Sequence, residues 1–212
     1  ILAGAKVVIV QPKAELLHFF HIIITIAKKI QIRKGHQFMN KKLIRYMLAG
    51  TILVSILGTF MHFVYPWSKN EYWVGFIAPV NESTWEHIKL LFFPTLLYSI
   101  FAILNLHKEY PCIESAFWAG ILSGTFLIPA IFYTYTGILG FHTLFLDIMT
   151  FFLSVTATFI IVYRLTLGCS VKDYRFALRF LLIIMLISFF FFTYAPLKLG
   201  LFQIPTMSFI TT

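Results

Sequence analysis

The sequence predicts an all-α fold, a polytopic transmembrane helix bundle with five spans. Three observations carry that prediction. Of 212 residues, 59% are hydrophobic and only 12% charged, against about 25% charged in soluble globular domains. Apolar runs long enough for a hydrocarbon core of about 30 Å recur along the chain. The Lys and Arg residues gather beside those runs, where they orient helices. The net charge of +9 therefore points to a lipid bilayer as partner and excludes nucleic acid; protein partners are left open.

Residues 1–38 form a basic N-terminal segment unlike the remainder. Its apolar run, Leu16 to Ala27, contains His18 and His21 and is too short to span. Two readings stand side by side: an amphipathic helix on the membrane surface, or an upstream extension of the reading frame ahead of Met39. Residues 39–212 form the transmembrane domain. The first span is expected over 43–65, with Lys41, Lys42 and Arg45 at its start and Tyr65-Pro66-Trp67 closing it at an interfacial aromatic belt. Thr51, Ser55, Gly58 and His62 share one face of it at helical spacing. The second span, 88–106, carries Pro94, which removes the hydrogen bond to the Leu90 carbonyl. The third, 115–135, has a small-residue face including Gly120-xxx-Gly124, suited to close helix packing. The fourth, 142–163, aligns Thr143, Asp147, Thr150, Ser154 and Thr158 in one polar stripe. The fifth is expected over 176–194, with Arg179 at its start.

Charge counting sets the orientation. From Met39 onward, Lys41, Lys42, Arg45, Lys108, Arg164, Lys172, Arg175 and Arg179 fall on one side and Lys69, Lys89 and Lys198 on the other. The positive-inside rule then places the N-terminus in the cytoplasm and the C-terminus outside a bacterial cytoplasmic membrane. Cys112 and Cys169 stand at the ends of apolar segments with no metal-ligand spacing, and both are expected as free thiols.

Polar chemistry concentrates in Pro79-Val-Asn-Glu-Ser-Thr-Trp-Glu-His-Ile-Lys89. Ser83 followed by Glu86 predicts a capping box in which each side chain satisfies the other's backbone N–H. Helical spacing puts Glu82, Glu86 and Lys89 on one stripe and Ser83 with His87 on the next. Asp147 reads as the one acidic residue deep within a span. An ionisable group there costs at least about 2.5 kcal/mol unless it is paired or hydrated, which makes it a site candidate. The predicted topology carries Glu82, Ser83, Glu86, His87, His62, His142 and Asp147 to the outer half of the membrane. Histidines with carboxylates are the ligand set of a divalent metal such as zinc, which assigns candidate ligand roles to His62, His87, His142 and Asp147. Spacing adds no metal signature, since on an ideal helix His142 and Asp147 lie about 140° apart.

The segment Ala78 to Pro94 resembles the motif Ala-Pro-Val-Asn-Glu-Ser-x-Trp-Glu-His-x-Lys-Leu-Leu-Phe-Phe-Pro of an uncharacterised family of five- to six-span bacterial membrane proteins. The run His62 to Trp67 is similar to that family's His-Phe-x-Tyr-x-Trp. The tail Leu201-Phe202-Gln203-Ile204-Pro205 departs from its Leu-Phe-x-Asp-Pro. The resemblance implies a fold and a membrane location, and no activity. Activity is left between an outward-facing polar site of unresolved chemistry, a metal-dependent intramembrane hydrolase of a lipid or other amphiphile, a small transporter or proton-coupled permease, and an accessory membrane subunit.

Overall fold

A computed structural model describes residues 41–205. The expectations for residues 1–38 lie outside the described residues. Five helices dominate: α1 Lys41–Trp67, α2 Thr84–Leu106, α3 Ile113–Leu139, α4 Leu144–Gly168 and α5 Arg175–Phe192. Each is long and apolar enough to cross a membrane, α5 together with the short turn Lys172–Tyr174 that leads into it. No strand occurs among the described residues. The protein is a multi-pass integral membrane protein of the helix-bundle class.

Two observed boundaries differ from expectation for a local reason. α2 starts at Thr84 rather than near residue 88, because the polar segment itself builds the first turn behind the Ser83 N-cap. α4 starts at Leu144 rather than His142, because Thr143 is in extended conformation and caps the helix, accepting from the Leu146 N–H at 3.3 Å. Asp147 therefore sits in the first turn of α4, at the end of the span rather than deep within it, where a carboxylate also meets the positive end of the helix dipole.

α1 packs on α2 and α4, while α3 packs on α2, α4 and α5. The first four helices thus close a ring, and α5 leans on its outside. α2 is the most enclosed helix; α5 and α1 are the least, presenting apolar side chains to lipid. Ring contacts knit the interior: Tyr98 and Phe159 lie 5.6 Å apart between centroids, and Phe189 of α5 lies 5.0 Å from both Trp85 and Phe92 of α2. In the absence of water, backbone groups must also be covered from within. A Cβ on Gly58 of α1 would stand 2.5 Å from the Leu90 carbonyl, the group that Pro94 leaves without its helical partner. Glycine lets α1 close over it.

Gly124 makes the tightest α3–α4 approach, for a Cβ there would meet Thr158 Oγ1 at 1.8 Å. Gly120 faces Val162 in the same way. Thr150, Ser154 and Thr158 are buried, and each hydroxyl donates to the carbonyl four residues back in α4 at 2.8–2.9 Å. The polar stripe of α4 is thus consumed in helix packing over this length.

At the end where α3 begins and α4 finishes, Cys112 and Cys169 form a disulfide, with Cα atoms 5.3 Å apart. This corrects the expectation of free thiols. Cys112 is the N-cap of α3 and Cys169, at φ 51°, is the C-cap of α4; antiparallel pairing of the two helices brings these caps together, which a separation of 57 residues conceals. The same end carries the ion pairs Lys42–Glu109 and Arg179–Glu114, with Arg175 also 3.9 Å from Glu114.

Gly124→Ala should destabilise the bundle by about 1–3 kcal/mol through overpacking, seen as a lower melting temperature in detergent. Gly137→Ala, with open space around its Cβ, should not. Maleimide labelling of the air-purified protein should modify neither cysteine until a reductant is added, and then both; labelling before reduction would contradict the disulfide.

Candidate functional site

The opposite end of the bundle gathers the end of α1, the start of α2, the end of α3 and the start of α4. Between α1 and α2, residues 68–83 run through a single helical turn, Val74–Phe76, which rests on α5. Phe76 contacts Phe190, and Tyr194 stacks on Tyr72 and donates from its hydroxyl to the Tyr72 carbonyl at 2.6 Å. Burial of that phenol pushes its pKa up to about 12, so it remains a donor.

The polar segment separates into two groups facing different ways. Lys89 is 0% and Glu86 1% exposed. The Lys89 ammonium donates to Glu86 Oε2 at 2.6 Å, to Thr193 Oγ1 at 2.6 Å and to the Gly75 carbonyl at 2.8 Å. All three of its protons are used, as burial of a charge demands. Glu86 Oε2 also accepts from the Val80 N–H at 3.0 Å. The capping box is consequently only half formed. Ser83 Oγ accepts from the Glu86 N–H at 3.4 Å, but the Ser83 N–H donates to Asn81 Oδ1 at 2.9 Å, since Glu86 is engaged by Val80 and Lys89. Glu86 and Lys89 form a fastening between α2, the 74–80 loop and the end of α5.

Glu82 lies one residue before the N-cap, so helical spacing does not apply to it and it leaves the stripe expected with Glu86. Its side chain is 64% exposed and turns to two imidazoles: Oε2 is 3.3 Å from His87 Nε2 and Oε1 is 3.7 Å from His62 Nε2. One donor atom from each of His62, Glu82 and His87 falls within 4.8 Å of the others, and the two rings are 5.5 Å apart between centroids. The His87 ring beside Glu82 holds that carboxyl below the usual carboxylate range, so it is ionised at neutral pH.

The tautomer of His87 follows from its second contact. Nδ1 is 3.0 Å from the Ser83 carbonyl, which can only accept, so Nδ1 carries a proton. In the neutral ring Nε2 is then a lone pair aimed at a carboxylate oxygen. Two acceptors at 3.3 Å repel unless a cation lies between them: a second proton on the ring, or a metal ion. Bond lengths of about 2.0–2.1 Å in a tetrahedral zinc site put neighbouring ligand atoms roughly 3.3 Å apart. The backbone contact at Nδ1 is also the usual outer-shell support of a metal-binding histidine.

His142 and Asp147 make a separate cluster at this end. His142, also one residue before an N-cap, folds back over the first turn of α4, and its Nδ1 donates to Asp147 Oδ2 at 3.0 Å; the 140° separation therefore has no force. The other Asp147 oxygen accepts from the Tyr135 hydroxyl. His142 Nε2 is buried without a hydrogen-bond partner among the described residues. Asp147 is near enough to His87 for their charges to interact. Of the candidate ligands, then, His62 and His87 meet across Glu82, whereas His142 and Asp147 hold each other. Tyr135 was not legible as a site residue, since in sequence it reads as one more interfacial aromatic.

Beside the His62–Glu82 side of the cluster is an open depression of about 340 Å³, lined by Tyr65, Asn70, Val80 and Asn81 as well as His62 and Glu82.

The model of a family described as "Family of unknown function (DUF6512)" matches residues 35–207. No curated protein and no solved structure matches the chain.

Removing the ammonium from the buried pair, in Lys89→Met, should cost about 3–5 kcal/mol by stranding the Glu86 carboxylate. Lys89→Met combined with Glu86→Gln should recover part of that loss. Melting temperatures of the three proteins in detergent check this; a Lys89→Met protein as stable as the parent would contradict the fastening role.

Proposed function

Because the chain belongs to this family of unknown function, we propose from its own geometry that it is a metal-dependent membrane hydrolase of an amphiphile, with His62, Glu82 and His87 holding a divalent ion such as zinc. The observation that carries this reading is the convergence of His62, Glu82 and His87, whose ligand atoms lie within 4.8 Å of one another, with His87 Nε2 3.3 Å from the Glu82 carboxylate, a contact that a metal ion or a second ring proton satisfies. Two histidines and one glutamate make a three-ligand set that leaves a fourth position to water. Held by His62, Glu82 and His87, a zinc ion would supply the chemistry of an activated water, whose pKa such sites lower to about 7. Asp147 orients the His142 ring and leaves Nε2 as a proton acceptor at the same end of the bundle.

Two other readings find less support. A transport path along Thr150, Ser154 and Thr158 would need those hydroxyls in water, and they are buried and bonded within α4. An accessory subunit docking through Gly120 and Gly124 would need a face that α4 already occupies. For orientation, we place the site on the outer face of a bacterial cytoplasmic membrane. In support, Lys89 is an interior residue rather than a loop charge, which leaves Lys69 and Lys198 against eight basic residues toward the other end.

Elemental analysis of the detergent-purified chain tests the reading. Near-stoichiometric zinc or another transition metal is expected, with affinity at least tenfold lower in His62→Ala and His87→Ala and retained in Asp147→Asn. A folded, monodisperse protein that takes up no metal would overturn it.

A further inference from the structure

The ligand cluster adjoins a pocket whose chemistry bears on what it receives. The depression of about 340 Å³ has His62 and Glu82 in its wall together with Tyr65, Asn70, Val80 and Asn81. Among the described residues no Lys or Arg lines it. Its size suits a small polar head rather than a whole lipid or a folded partner.

An apolar track leads to it along α1. Phe63 packs edge-on against His62, with ring centroids 5.4 Å apart, and stacks on Trp67 at 5.7 Å. Phe63 is 45% and Trp67 65% exposed, at the end of a membrane-spanning helix, where aromatic side chains mark the boundary between hydrocarbon and water. A polar pocket thus stands beside a lipid-facing aromatic pair, with His62 joining the two. A molecule that fills both has a polar head and an apolar chain.

Charge narrows the head. A divalent ion held by one carboxylate and two neutral imidazoles carries a net charge of +1. That balances the single negative charge which develops when a carboxylic ester or amide is attacked at its carbonyl. A phosphomonoester brings two negative charges, and the described lining of the pocket offers no second cation to meet them while it exposes Glu82. We infer that this depression is the head site for an amphiphile whose head is an uncharged ester or amide, its acyl chain lying along Phe63 and Trp67. The inference rests on the metal reading of His62, Glu82 and His87 and names the substrate class of that same site.

The test is binding to the full chain in dodecylmaltoside with zinc supplied. The probes are 1-oleoylglycerol, N-oleoylethanolamine and oleyl phosphate, and bound zinc is measured in every sample. The two uncharged probes should bind at least tenfold more tightly than oleyl phosphate. Phe63→Ala and Trp67→Ala should each weaken them about fivefold or more at unchanged zinc content. A zinc-loaded protein that prefers oleyl phosphate, binds neither uncharged probe, or binds them equally well in both variants would overturn this inference alone. A protein that takes up no zinc would overturn the metal reading and this inference with it.

Discussion

A full positive charge at Lys89, shut away from water, is the constraint on which the site end of this bundle depends. An ammonium so placed is tolerable only with an opposite charge and an acceptor for each proton. Glu86, Thr193 and the Gly75 carbonyl provide them, from α2, the end of α5 and the loop between α1 and α2. Meeting that demand also shapes the neighbouring chain. Glu86, held by Lys89, takes the Val80 N–H and leaves the Ser83 N–H to Asn81. The turn thus fixed projects Glu82 away from the fastening and toward His62 and His87. The buried pair is structural, yet it decides which carboxylate faces the two imidazoles.

The five spans were legible because lipid leaves little choice: long apolar runs must be helices, and basic residues mark their ends. Expected and observed helices differ by no more than about five residues at any terminus, and the end of α2 at Leu106 coincides. What the helical period could not supply was the placement of residues just outside a helix. Glu82 precedes Ser83 and His142 precedes Thr143, and both N-caps are extended rather than helical. A helical wheel therefore put Glu82 beside Glu86 and set His142 apart from Asp147, and both placements were wrong. Side chains at that position fold back across the first turn, which is how each reaches its partners.

Other features were illegible for a different reason, since they depend on which helices become neighbours. The α4 stripe of Thr150, Ser154 and Thr158 reads equally well as the lining of a channel or as a packing face. Only its opposition to Gly120 and Gly124 of α3 distinguishes them. The pairing of Cys112 with Cys169 follows from the same helix pair. Its cause is the antiparallel return of α4 along α3, and no local motif announces it.

That bond makes α3, the short turn after it and α4 into a closed covalent circle lying across the membrane, with its clasp at the end bearing most of the basic residues. The clasp cannot close until both helices have been inserted and paired, so oxidation is a record of completed assembly. It also depends on the water that this end meets, because thiols stay reduced in a cytosol and cross-link in an oxidising space; the closed clasp therefore opposes the cytoplasmic placement of the basic end that the charge count favours. The oxidation state of the pair in native membranes is thus a built-in witness to which compartment the basic end faces.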